Sequence, residues 1–168
     1  MNFEQLAGER FSCRKFSEEK VPQELMEKII EISMLAPTAV NKQPYKIFWL
    51  TSAQAKASVE QVTRFTFGAK DFLVVGCKED EAWVRKYDGK NFADVDGSIV
   101  ATHMMLAITE LGLASTWVGC FDAPKLKELC PQMEGYNLLA IFPIGYAGEE
   151  PCERHFQRKA KEEVLEII

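Results

Sequence analysis

Apolar positions along this chain recur with two periods, and together they lay out its elements in order. Phe3 to Glu9 forms a short helical stretch, and an irregular segment follows from Arg10 to Val21. Pro22 stands at a favourable first-turn position. Leu25, Ile29 and Ile32 then repeat at helical spacing, with Met26 and Ile30 beside them. That helix should end near Leu35, because Pro37 disfavours helical geometry in the residue before it. A loop from Ala36 to Pro44, with a proline at each end, leads into a strand over Lys46 to Thr51. Ser52 is placed to cap a helix running to about Val62. The apolar run Phe72 to Cys77 reads as a buried strand.

The longest helix is expected within Asn91 to Leu111. Ile99, His103 and Leu106 form one stripe, and Val100, Met104, Ala107 and Leu111 form another, so the helix should be buried on most sides. Gly112 ends it as a C-cap. Further on, the pattern predicts a strand over Ser115 to Cys120, a short helix over Ala123 to Leu129 stopped by Pro131, and a strand over Asn137 to Tyr146 with Pro143 as its candidate bend. The tail from Gly148 to Lys161 holds few core residues, yet Val164, Leu165, Ile167 and Ile168 are apolar. Such an ending can pack on a partner chain as readily as on its own domain. The order of elements permits a doubly wound sheet, but no GxGxxG or GxxxxGK[ST] follows any predicted strand, so neither phosphate-binding signature is present.

A length of 168 residues, 47 % of them hydrophobic, supplies one core and one domain. With 20 Lys and Arg against 25 Asp and Glu the net charge is -5, which argues against a general nucleic-acid or anionic-membrane binder. No apolar run approaches the ~18 residues of a membrane span, and Met1 to Gly8 lacks the regions of a signal peptide. Five cysteines, Cys13, Cys77, Cys120, Cys130 and Cys152, without a CxxC pair favour a reducing cytoplasm and no disulfide framework.

The positive charge is unevenly placed. Arg10, Arg14 and Lys15 cluster near one end, and Arg154, Arg158, Lys159 and Lys161 near the other. Both clusters are either solvated surface or two halves of one anion site. In an extended segment Arg10, Ser12 and Arg14 point to one face, where two guanidinium groups and a hydroxyl suit a phosphate; a charged edge strand would carry the same pattern. Pro37-Thr-Ala-Val-Asn41-Lys-Gln43-Pro44 sets small residues beside amides in a stiff loop. It can hydrogen-bond a planar heterocycle, or simply connect a helix to a strand. Gly119, after Trp117 and Val118, lets a ligand approach the backbone, while Trp117 itself is a core candidate. His103 reads as a hydrogen-bonded structural histidine and His155 as an exposed tail residue. Nothing supports a metal site or an acid–base pair, and a Cys120–His103 nucleophile pair has no local signature.

Four segments, in order, resemble the FMN-dependent nitroreductase-like family over nearly the whole chain. They are Arg10 to Phe16, Ala36 to Tyr45, Asp96 to Leu113, and Pro143 to Glu149 with the basic tail. The resemblance implies an α+β fold, a nitroreductase-like mixed β-sheet surrounded by helices, as a two-fold homodimer with shared active sites. It implies a single FMN-binding domain over residues 1–168, with the C-terminal tail packing on the partner subunit. By the same resemblance Arg10 and Ser12 hold the FMN phosphate, Arg14 meets the ribityl and pyrimidine side, and Arg158 with Lys159 closes on the phosphate. Pro37, Thr38, Ala39, Asn41 and Gln43 reach the flavin from the partner, and Trp117, Val118 and Gly119 pass its N5 and O4 edge. The flavin performs the chemistry and no catalytic side chain is expected. NAD(P)H is the implied donor and a nitroaromatic or quinone the acceptor, in a ping-pong cycle; a flavin sensor or store shares every one of these ligands. The chain is short for the family, trimmed between Thr51 and Asp94 where other members place covering helices, and His103 stands where an amide is common.

Overall fold

A computed structural model describes residues 2–168. Helix α1, Phe3–Glu9, opens on a capping box in which the Asn2 side chain accepts from the Gln5 N–H. Helix α2, Gln23–Ser33, follows Pro22, which sits at the cap rather than inside the first turn. Strand β1, Tyr45–Leu50, leads into α3, Ala53–Val62, whose cap is the Ser52 hydroxyl. Then come β2 (Asp71–Cys77), α4 (Ala93–Glu110), β3 (Ala114–Ser115), α5 (Ala123–Leu129), β4 (Asn137–Gly145) and the one-turn α6 (Lys161–Val164).

The four strands form one sheet in the order β1-β2-β4-β3, and every neighbouring pair runs antiparallel. Leu50 at the end of β1 pairs with Phe72 at the start of β2, so the connection through α3 returns to the end it left. That geometry excludes the doubly wound parallel alternative. One parallel bridge, Ser12 to Ser115, joins the N-terminal segment to the β3 edge and makes the sheet mixed there.

Alternation along β2 explains how the sheet is covered. Leu73 and Val75 face a core with Met26 and Ile29 of α2 and with Ala101, Met104 and Ile108 of α4. Phe72 and Val74 face the opposite core, with Val59 and Val62 of α3 and Leu126 of α5. Both faces are buried, which is why β2 reads as a continuous apolar run. The register of β4 slips between Val75 and Gly76, whose partners are Ala140 and Leu138. Leu139 is the extra residue, and the bulge re-aims the residues before it.

The expected strand over Ser115 to Cys120 is corrected. β3 spans only Ala114–Ser115, and a single bridge from Val118 to Ile141 continues it. The gap faces Phe142 and Pro143, and Pro143 has no N–H with which to extend a ladder. The expectation that α4 is buried on most sides is also corrected for the single chain. Val100, Met104 and Ala107 are buried, but Ile99 and His103 are half-buried and line an open groove with Asp94, Val95, Ser98 and Thr102. Gly97 is required where α4 crosses the sheet, because a Cβ there would collide with Cys77 Sγ and Leu139 Cδ1. Gly112, at φ +75°, closes the helix in the left-handed region. Val164, Leu165, Ile167 and Ile168 stay exposed on this chain. Among the described residues no helix is long and apolar enough to cross a membrane.

Candidate functional site

The two basic clusters meet. Residues 10–14 leave α1 in extended conformation and are pinned to the sheet edge by the Cys13 N–H, which donates to the Ser115 carbonyl at 3.0 Å. This turns the buried Cys13 inward and sets Arg10, Ser12 and Arg14 along one wall of a cleft of about 340 Å³. Cys152, Arg154, His155 and Arg158 of the tail form the facing wall. Phe11 breaks the strict alternation, since it lines the cleft too and lies edge-on to the His155 ring at 6.3 Å.

The walls are held together by backbone contacts. Gly148 N–H donates to the Lys15 carbonyl at 2.8 Å, and the Arg14 N–H donates to the Glu149 carboxylate. His155 Nε2 lies 2.9 Å from the Gly8 carbonyl. A carbonyl only accepts, so Nε2 carries the proton. His155 is therefore half-buried and bonded across the cleft, not a free tail residue as its polar surroundings in the sequence had implied. Nothing in the sequence near it marks a partner that lies some 147 positions away.

Four arginines line this cleft and no carboxylate does. Among the described residues the ion pairs all lie elsewhere on the chain. The Arg10 guanidinium is pushed down from its ordinary value, first by burial and then by the nearby charge of Arg158. Guanidinium groups that repel one another, beside a hydroxyl and in a cleft that no carboxylate lines, fit a phosphate ester. Arg158 already folds onto the carbonyls of His155 and Gln157. Lys159 is exposed and does not line the cleft.

The loop after α2 is built differently. Ala39–Asn41 make a single 3-10 turn, and Val40, Asn41 and Gln43 all have left-handed backbones, at φ 45°, 56° and 51°. Each such non-glycine residue costs on the order of 1–3 kcal/mol, and a β-branched Val is the least suited to it. Local bonds support the shape: Asn41 N–H donates to the Thr38 carbonyl and Gln43 N–H to the Thr38 hydroxyl, both at 3.0 Å. The Ala39 N–H donates to Oδ1 of the buried Asp96 on α4 at 2.8 Å. Pro37, Thr38, Ala39, Asn41 and Gln43 therefore share one rigid, largely exposed turn, but none of them lines the basic cleft of the same chain.

Trp117, Val118 and Gly119 follow β3, two residues beyond the Ser115 that pairs with Ser12. Val118 is buried and exchanges hydrogen bonds of 3.0 Å with Ile141. Trp117 is 36 % exposed, its ring edge-on to Phe142 at 5.2 Å, so it is a rim residue and not a fully buried core one. At exposed Gly119 an added Cβ would meet only the Trp117 ring, at 3.8 Å.

Other chemistry finds less support. Burial pushes the Cys13 thiol up, away from a nucleophile's range. Cys120 lies in a cleft with Thr63 and Phe65, whereas His103 lies in the α4 groove, where its Nδ1 donates to the Ile99 carbonyl at 3.1 Å. All five cysteines are free thiols.

An α+β domain whose two ends close on an anion-seeking cleft is the class of protein these observations define. The Nitroreductase family matches residues 7–66 and 63–146. A nitroreductase family protein of Clostridium difficile is 34 % identical, with a TM-score of 0.91 over 99 % of this chain and 98 % of that one. A protein of Methanothermobacter thermautotrophicus, provisionally named an NADH dehydrogenase/NAD(P)H nitroreductase, is 27 % identical over 86 % of this chain and 77 % of its own length. The fold alone is shared with a nitroreductase-like protein of Exiguobacterium sibiricum solved in complex with FMN. That pair is 17 % identical, with a TM-score of 0.88 over 100 % of this chain and 98 % of that one. Mouse iodotyrosine deiodinase 1 is a more distant relative, 21 % identical over 99 % of this chain and 69 % of that protein. The chain belongs to the nitroreductase family.

Proposed function

We propose that this protein is an FMN-dependent oxidoreductase that takes electrons from NAD(P)H and delivers them to a small nitroaromatic or quinone in a ping-pong cycle. The observation that carries the reading is the convergence of Arg10, Ser12, Arg14 and Arg158 on one cleft that no carboxylate lines. These residues fit the phosphate of FMN. When bound, the cofactor would supply hydride acceptance from the nicotinamide and reduction of the acceptor.

The chain's own residues bind, orient and polarise. Arg10, Ser12 and Arg158 fix the phosphate through charge-assisted hydrogen bonds. Arg14 places a cation where negative charge gathers on reduction, which a preorganised site stabilises without a proton-transferring side chain. The backbone at Trp117 and Gly119 would pass the ring edge, while the polar groups of Val118 between them are taken by Ile141 and hold the segment in place. The turn at Pro37, Thr38, Ala39, Asn41 and Gln43 serves the site of a second subunit, which explains why it lies outside the cleft of its own chain. Two protomers would then share their sites, with the apolar residues of the Val164–Ile168 ending packed on the partner. Five free thiols suit a reducing compartment such as the cytoplasm.

The test is the absorbance spectrum of the purified protein, followed by mass identification of any released cofactor and by steady-state NAD(P)H oxidation with a quinone or nitro compound. A yellow protein that releases FMN and turns over is expected. A colourless protein that binds no FMN when it is offered overturns the reading, and a yellow one without turnover is a flavin store.

A further inference from the structure

Asp96 is an unusual residue to find where it is. It stands in the first turn of α4, is 1 % exposed, and its Oδ2 is buried without any hydrogen-bond partner. Its other oxygen, Oδ1, takes a single donor, the Ala39 N–H at 2.8 Å. Burying a carboxylate for one amide is costly when a neutral acceptor would satisfy the same N–H. The helix N-terminus offsets part of that cost, but it does not explain why this carboxylate is aimed at a loop 57 residues away in sequence.

The loop supplies the reason. Its remaining bonds are local, from Asn41 to Thr38, Lys42 to Ala39, and Gln43 to Thr38 and to Asn41. Among the described residues, the bond to Asp96 is the hydrogen bond that ties residues 38–43 to the body of the domain. The same residues hold three left-handed non-glycine backbones. Strained conformations of this kind persist only when their surroundings over-determine them. Removing the one long-range tie frees the turn to relax while the local bonds reshuffle.

We infer that Asp96 is a positioning residue: through the Ala39 amide it holds the Thr38–Gln43 turn in the shape with which that turn meets the flavin site. This rests on the proposed role of the turn. Asp96 touches neither cofactor nor substrate and acts only through the backbone it anchors. Removing the carboxylate relieves the unsatisfied Oδ2 but leaves the Ala39 N–H without its acceptor, so the two effects on stability offset each other and function should respond more than stability.

The experiment compares the wild-type protein, as isolated, with Asp96→Ala and Asp96→Asn. Amide exchange at Ala39, melting temperature, FMN dissociation, and kcat and KM with NADPH and a quinone are measured. In Asp96→Ala the Ala39 amide should exchange at least about tenfold faster, with a melting temperature changed by no more than a few degrees. FMN dissociation or KM should worsen by about tenfold in the same variant. Asp96→Asn keeps an acceptor in the same place and should restore both to within about threefold. Unchanged Ala39 exchange in Asp96→Ala overturns the anchor. Faster exchange with unchanged FMN dissociation, kcat and KM overturns the positioning role. An Asp96→Asn protein as impaired as Asp96→Ala overturns the claim that accepting the amide is what matters. If the wild-type protein holds no flavin and oxidises no NAD(P)H, the functional reading fails, and the Ala39 exchange still decides whether Asp96 anchors the turn.

Discussion

The basic cleft and the Thr38–Gln43 turn reach a defined shape by opposite means. The cleft is assembled from two stretches far apart in sequence, and its side chains carry charges that repel one another. The turn is assembled from adjacent residues, and its tension lies in the backbone, at Val40, Asn41 and Gln43. The first stores electrostatic energy that a ligand can release. The second stores conformational energy that only the rest of the fold can hold in place. Substitutions should therefore separate the two: in the cleft they change binding more than stability, and around the turn they change stability and local order.

The largest effect is expected in the cleft. Arg10→Ala and Arg158→Ala each remove a charge-assisted contact of about 1.5–3 kcal/mol, which is about tenfold to hundredfold in FMN affinity. The cofactor-free melting temperature should fall little, because each change also removes one of two cations that oppose each other. Calorimetric titration of FMN at two salt concentrations checks this; wild-type affinity in both variants would break the comparison on the cleft side.

Gly97→Ala comes next and acts beneath the turn. Its new Cβ meets Cys77 Sγ and Leu139 Cδ1, so those side chains or α4 itself must shift, at about 1–3 kcal/mol. Asp96 is the adjacent residue, so Ala39 should lose exchange protection while a phosphate probe still binds the cleft. Thermal melting with amide exchange separates this outcome from general loosening, in which both regions would fail together.

The smallest effect is at Val40→Gly. Relief of a left-handed β-branched residue is worth about 1–2 kcal/mol, and the added freedom of the unfolded chain takes back about 0.5–1 kcal/mol. A rise in melting temperature of no more than a few degrees should follow. A clear fall would show that the backbone at Val40 is not under strain.

The same contrast decides what could be read from the sequence. Helices Phe3–Glu9 and Ala123–Leu129 have the expected boundaries, the second stopped by Pro131, and Ser52 caps α3 as expected. These signals act within one turn of chain. The pairing of the two charge clusters was legible as a possibility because charge shows in composition whatever the fold. The place of His155 is not legible in the sequence, since it depends on the Gly8 carbonyl and the Phe11 ring, both brought by tertiary folding. The shortness of β3 was hidden too: Trp117 to Cys120 has strand-like residues, but their neighbour strand carries Pro143. The strain in the turn left no mark, because Val and Asn do not announce a positive φ as glycine does.

The bond from His155 to Gly8 has a bearing on how the cleft can be taken apart. The sheet, the clusters on its two faces and the Asp96 anchor all lie within residues 2–146. The cleft does not, since its second wall is Cys152, Arg154, His155 and Arg158. A protease that cut after Tyr146 would leave the sheet and the anchored turn, with Arg10, Ser12 and Arg14 facing solvent and nothing opposite them. The clipped protein would keep its fold and lose its grip on an anion.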